Sequence, residues 1–102
     1  MKTLRMDRRL LRWFNVSLGG RLKAVTVDVS EFGFCAELDP VFLPGSEVEG
    51  DIQVRDQVFR FRGLVSWAQA GRRHEKRSRI GVRFTHVPEA FARSLYGYTA
   101  AA

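Results

Sequence analysis

Apolar residues fall at every second position in several segments of the chain, the period of a β-strand with one buried face. Segments 13–18 and 21–29 carry this pattern and are joined at Gly19-Gly20, a two-residue hairpin signal. In the second segment Val25, Val27 and Val29 alternate with Thr26, Asp28 and Ser30. The valines are therefore expected on one face and the polar trio on the other, with Asp28 and Ser30 pointing the same way. A polar turn at 28–33 follows, in which Gly33 supplies either a positive φ or a close backbone approach before Phe34, Ala36 and Leu38 resume the alternation.

Pro40, Pro44 and Gly45 mark a longer connection, after which Val48, Gly50, Ile52 and Val54 alternate with Glu47, Glu49, Asp51 and Gln53. Arg55-Asp56 reads as the next tight turn. Phe59, Phe61, Gly63, Val65 and Trp67 then share a face opposite Arg60, Arg62 and Ser66, and Gly63 in mid-strand predicts the bend or bulge that a small barrel needs in order to close. Residues 71–79 form a basic hairpin loop, and Ile80, Val82 and Phe84 face the core from a last strand. Beyond Pro88 the period changes: Phe91, Leu95 and Tyr98 lie at helical spacing, with Gly97 near the helix end and Val87 a poor N-cap. The pattern predicts an all-β domain with one C-terminal helix.

Composition narrows the class. At 102 residues, 45% hydrophobic and with eight Phe, the chain can bury one core without staples, so global disorder is excluded. One cysteine, Cys35, excludes an intramolecular disulfide, and with two histidines there is no zinc-ligand spacing. No metal or cofactor is expected. No segment has the length of a membrane span or the form of a signal peptide, so a cytoplasmic protein without membrane insertion is expected. His74 and His86 stand apart from any arrangement that would support catalysis, so the chain is not read as an enzyme. A net charge of +6 favours anionic partners.

Much of that charge is near the start, where Lys2, Arg5, Arg8, Arg9 and Arg12 face only Asp7. Residues 1–12 read as a flexible basic arm, 13–98 as the folded domain and 99–102 as a frayed tail. Arg8 and Arg12, four residues apart, are neighbours on a helical face and on the same side of an extended segment. Paired guanidiniums suit phosphate oxygens and also match the O6 and N7 edge of guanine.

The arm and the turn together, Arg8-x-x-x-Arg12 followed by Asp28-x-Ser30-x-x-Gly33, resemble the PilZ family, whose members commonly bind the bacterial second messenger cyclic di-GMP. The resemblance runs through the later strands to Ile80-Gly81-Val82-Arg83-Phe84; Arg5 and Arg9 share the spacing, but Arg8 and Arg12 run directly into Trp13. It implies a six-stranded antiparallel PilZ-type β-barrel with an appended helix, and a non-enzymatic receptor whose arm closes on the turn and relays the signal to an effector protein. It also implies roles: Arg8 and Arg12 for phosphate and the guanine edge, Asp28 for guanine N1 and N2, Ser30 for a hydroxyl contact and Gly33 for shaping the turn. Arg9 and Trp13 are additional candidates; Arg9 is expected on the opposite side of an extended arm, while Trp13 and Trp67 are more readily core residues than stacking platforms. A PilZ-like interaction module that does not bind nucleotide is the alternative, and a nucleic-acid-binding small barrel is disfavoured.

Overall fold

The structure, a computed structural model, describes residues 9–39, 42–71 and 77–100, with side chains through Gly97 in the last stretch. The strands are β1 (Asn15–Leu18), β2 (Leu22–Ser30), β3 (Gly33–Leu38), β4 (Glu47–Val54), β5 (Gln57–Gln69) and β6 (Ser78–His86), followed by helix α1 (Glu89–Ala100). All neighbours are antiparallel, in the closed order β1-β2-β3-β6-β5-β4. The seam is β1 with β4, where Val16, Ser17 and Leu18 lie opposite Ile52, Asp51 and Gly50. Among the described residues every strand has a neighbour on both sides, so the sheet presents no open edge strand.

The β4 alternation holds as written in the chain: Val48, Gly50, Ile52 and Val54 are buried while Glu47, Glu49 and Gln53 are exposed. The two acids Glu49 and Asp51 meet Arg62 and Arg60 across the strand pair at 3.6 and 3.7 Å. These exposed pairs favour the register but each contributes at most about 1 kcal/mol. Arg55 takes a positive φ of 61° in the tight turn between β4 and β5. Gly63 sits at a register shift, as its place in mid-strand predicts.

Five phenylalanines form the centre. Phe34 meets Phe61 edge-on at 5.4 Å, both touch Phe84, and Phe84 and Phe59 each meet Phe91 of α1 at 5.3 and 5.6 Å. Edge-to-face pairs of this kind contribute about 1 kcal/mol each beyond their buried area. Phe91 and Leu95, both fully buried, anchor α1 on the core, so the helix is part of the barrel's packing. The end of β2, the start of β5 and the end of β6 lie toward α1, where Ser94 donates to Gln57 at 3.0 Å. The Tyr98 side chain expected on that apolar face lies outside the described residues.

Two strands depart from simple alternation. Between Thr26 and Asp28 the β2–β3 register shifts by one residue, leaving Val27 as the extra residue of a bulge. Thr26 is fully buried, as is Val29, whereas Val25 and Val27 are only half-buried. The expectation that the three valines share the core face is therefore corrected. A further shift, besides those at Thr26/Asp28 and Arg62/Gly63, lies between Val65 and Trp67. It turns Trp67 out of the core, 43% exposed, so its expected place beside Phe59, Phe61 and Val65 is corrected too.

Candidate functional site

The two bulges have one effect on the outer wall. Asp28 of β2 lies opposite Cys35 of β3, Cys35 opposite Gly81 of β6, and Gly81 opposite Trp67 of β5. A carboxylate and an indole thus stand at the ends of a single outward row, roughly 14 Å apart along the sheet, with only small residues between them. The indole folds back over β6: a Cβ placed on Gly81 would lie 2.2 Å from Trp67 Nε1. One row toward α1 stand Ser30, Gly33, Arg83 and Leu64; one row away from it stand Glu37, Arg79 and Gln69.

The chain before β1 is laid along β2. Leu10 and Val29 exchange both backbone hydrogen bonds, at 2.8 and 3.0 Å. Thr26 ties down the stretch between them: its backbone N–H donates to Phe14 O, its hydroxyl donates to Arg12 O at 2.6 Å, and the same hydroxyl accepts from Phe14 N–H at 2.8 Å. A buried hydroxyl with both partners satisfied is the reason a polar residue occupies this core position. Residues 9–12 of the expected arm are therefore joined to the barrel by backbone and side-chain hydrogen bonds.

Arg9 Nη1 donates to Asp28 Oδ1 at 2.6 Å, and the pair is only partly exposed. Arg9, an additional candidate read on the opposite side of an extended arm from Arg8 and Arg12, is the guanidinium that meets Asp28. Arg12 presents an exposed side chain that makes no ion pair among the described residues. Arg8 lies outside the described residues, so the spacing partner of Arg12 is not placed. Trp13 is 83% exposed, as is Leu11, so Trp13 is not a core residue.

Within the turn, Ser30 is fully buried and its Oγ accepts from Phe32 N–H at 3.1 Å, a side-chain turn that fixes the loop. A direct contact from this hydroxyl to a ligand would have to be made beside that bond. Gly33 has no positive φ. It is needed for close approach instead, since a Cβ there would lie 2.0 Å from Val82 O on β6. Glu31 N–H donates to the Tyr96 hydroxyl of α1 at 3.0 Å, so the helix holds the tip of the turn.

Burial pushes the Cys35 thiol above its ordinary value of 9.0, and the neighbouring Asp28 carboxylate pushes the same way, against Arg79 and Arg9. The thiol is thus ringed by the site's charges and stays protonated. Thr26, Trp67 and the Arg9–Asp28 contact are the parts that sequence reasoning left out or misplaced, and all three depend on the bulges.

Fold and site together define a class: a six-stranded antiparallel barrel with a helix packed on its core and an arginine-bearing segment laid beside an Asp-x-Ser-x-x-Gly turn. The family model of the PilZ domain matches residues 5–101, and the chain belongs to the PilZ family. PilZ domains are in general non-catalytic adaptor modules that bind cyclic di-GMP. Among solved structures the chain is similar to the inhibitor of motility MotI/DgrA of Bacillus subtilis, at a TM-score of 0.80 and 11% identity over 95% of this chain. It spans 50% of that longer chain, and the likeness is one of fold. No curated protein matches the sequence. No described helix is long and apolar enough to cross a membrane.

Proposed function

We propose that this chain is a non-enzymatic receptor for cyclic di-GMP, with the N-terminal arginines and the 28–33 turn as the two halves of one site. The observation that carries the reading is the Arg9–Asp28 contact, which brings the basic segment and the turn together. Cyclic di-GMP presents two guanines and two phosphates, so its receptor needs an acceptor for N1–H and N2–H₂ and guanidiniums for phosphate and for the O6/N7 edge. Asp28 is the acceptor and Arg12, with Arg8, the guanidinium set. Arg9, which meets Asp28, stands beside that carboxylate as an additional candidate for the phosphates. Trp67, at the other end of the row, offers an indole face for a base; stacking of this kind is worth about 1–3 kcal/mol per base. The occupied state is then passed to an effector protein by contact.

Titration calorimetry tests the reading directly. Heat with cyclic di-GMP that GTP does not reproduce is the expected result; no heat at tens of micromolar protein overturns it. A second reading, a PilZ-fold interaction module that does not bind nucleotide, has one observation in its favour: Leu11 and Trp13 are both 83% exposed on the same segment, a pair of apolar side chains open to a protein partner. Absence of heat selects that reading.

A further inference from the structure

The wall beside the turn carries a cation that the two motifs do not include. On β6, Arg79, Gly81 and Arg83 face outward and alternate with buried Ile80 and Val82. Arg79 is engaged, its Nε and Nη2 donating to Glu37 Oε2 at 3.1 and 2.9 Å. Arg83 is exposed and makes no hydrogen bond or ion pair through its guanidinium among the described residues. Across the strand pairs it faces Gly33 on one side and Leu64 on the other.

Its position beside Gly33 is what gives it access to the site. The absent side chain at Gly33 lets β3 press against β6, with the Arg83 Cα only 3.1 Å from where a Cβ would stand. Gly33 therefore puts no side chain between Arg83 and the Asp28 row, whose nearest members are Cys35 and Gly81, both small. Arg83 thus flanks the platform between Asp28 and Trp67 on the side of α1, as the paired Glu37 and Arg79 flank it on the other. Of the two β6 guanidiniums, only Arg83 has its donors uncommitted.

We propose that Arg83 is a barrel-borne phosphate ligand of the site, taking a phosphate oxygen of a cyclic dinucleotide whose base is held at Asp28. The inference rests on the receptor reading above. A planar guanidinium can give two parallel charge-assisted hydrogen bonds to one phosphate, which an ammonium cannot reproduce.

Calorimetry with cyclic di-GMP on the full chain, with thermal melting as the folding control, separates the possibilities. Arg83→Gln is expected to bind about tenfold more weakly or worse, the loss expected for a charged hydrogen-bond donor. Arg83→Lys, which keeps the charge and loses the fork, is expected to fall a few-fold short of the wild type, and Arg79→Gln to change affinity little. If Arg83→Gln melts early, Arg83→Lys carries the test. Affinity equal to wild type in a folded Arg83 variant overturns this inference alone. A wild-type chain that gives no heat overturns the receptor reading and this inference with it.

Discussion

The Tyr96 hydroxyl of α1 accepts a hydrogen bond from the backbone N–H of Glu31, 3.0 Å away, at the tip of the turn that carries Asp28, Ser30 and Gly33. Tyr96 is half-buried and its side chain packs against the barrel core. Any change in the turn's backbone is thereby felt by the helix.

Tyr96→Phe removes this acceptor and leaves the ring. The expected cost is about 1 kcal/mol in a denaturant melt, with a Glu31 amide that exchanges faster with solvent. An unchanged exchange rate at Glu31 would show that the helix does not hold the turn.

Asp28→Ala and Arg12→Ala are both expected to weaken cyclic di-GMP binding by at least tenfold and to leave the circular dichroism spectrum intact. The folding cost of Asp28→Ala is small because the Arg9–Asp28 pair is partly exposed and contributes at most about 1 kcal/mol, and the exposed Arg12 side chain makes no ion pair among the described residues. Full affinity in either folded variant would move the site elsewhere on the barrel.

Thr26→Val keeps the shape and removes both hydrogen bonds of the hydroxyl, leaving Phe14 N–H without its partner in a part-buried setting. A loss of about 1–3 kcal/mol is expected. The segment from Arg9 to Phe14 should become more open to limited proteolysis, and a cleavage rate equal to wild type would sink the idea that Thr26 fastens it.

Cys35 has a raised pKa and is 8% exposed, so thiol reagents should label it slowly at pH 8 in the native state and rapidly once the chain is unfolded. The sign of the linkage follows. A thiol harder to ionise when folded contributes stability that is complete below its ordinary value of 9.0 and declines as pH rises through that value toward the higher folded one. Fast native labelling at pH 8 would contradict the burial.

Much of the barrel was legible because its evidence is local. The β4 alternation, the Arg55-Asp56 turn, the bend at Gly63 and the helix after Pro88 each follow from neighbouring residues, and each is where expected. The hairpin at Gly19-Gly20 also forms, with both glycines at positive φ, although β2 starts one residue later than read, at Leu22. The basic loop is shorter than the expected 71–79, since β6 begins at Ser78. Ser78 is buried and donates its hydroxyl to Leu38 O at 2.9 Å, a partner forty residues away that no local pattern reveals.

The site was harder for the same reason. Val25-Thr26-Val27 looks like an unbroken strand, and only pairing with β3 makes Val27 the extra residue. Without that bulge Thr26 would share the outward face of Asp28. Trp67 was placed inside by unbroken alternation through Ser66, which the shift between Val65 and Trp67 interrupts.

These two extra residues make the outer row a matter of counting as much as of chemistry. A chain lacking Val27 would keep every letter from Asp28 to Gly33 and also keep the arrangement, because Thr26 and Asp28 would then be adjacent in a straight strand and face opposite sides of the wall, as they do here. It is an unbulged pairing of the same letters, with Val27 taken into the ladder, that would turn Thr26 and Asp28 to one side and undo the row without a substitution in either motif.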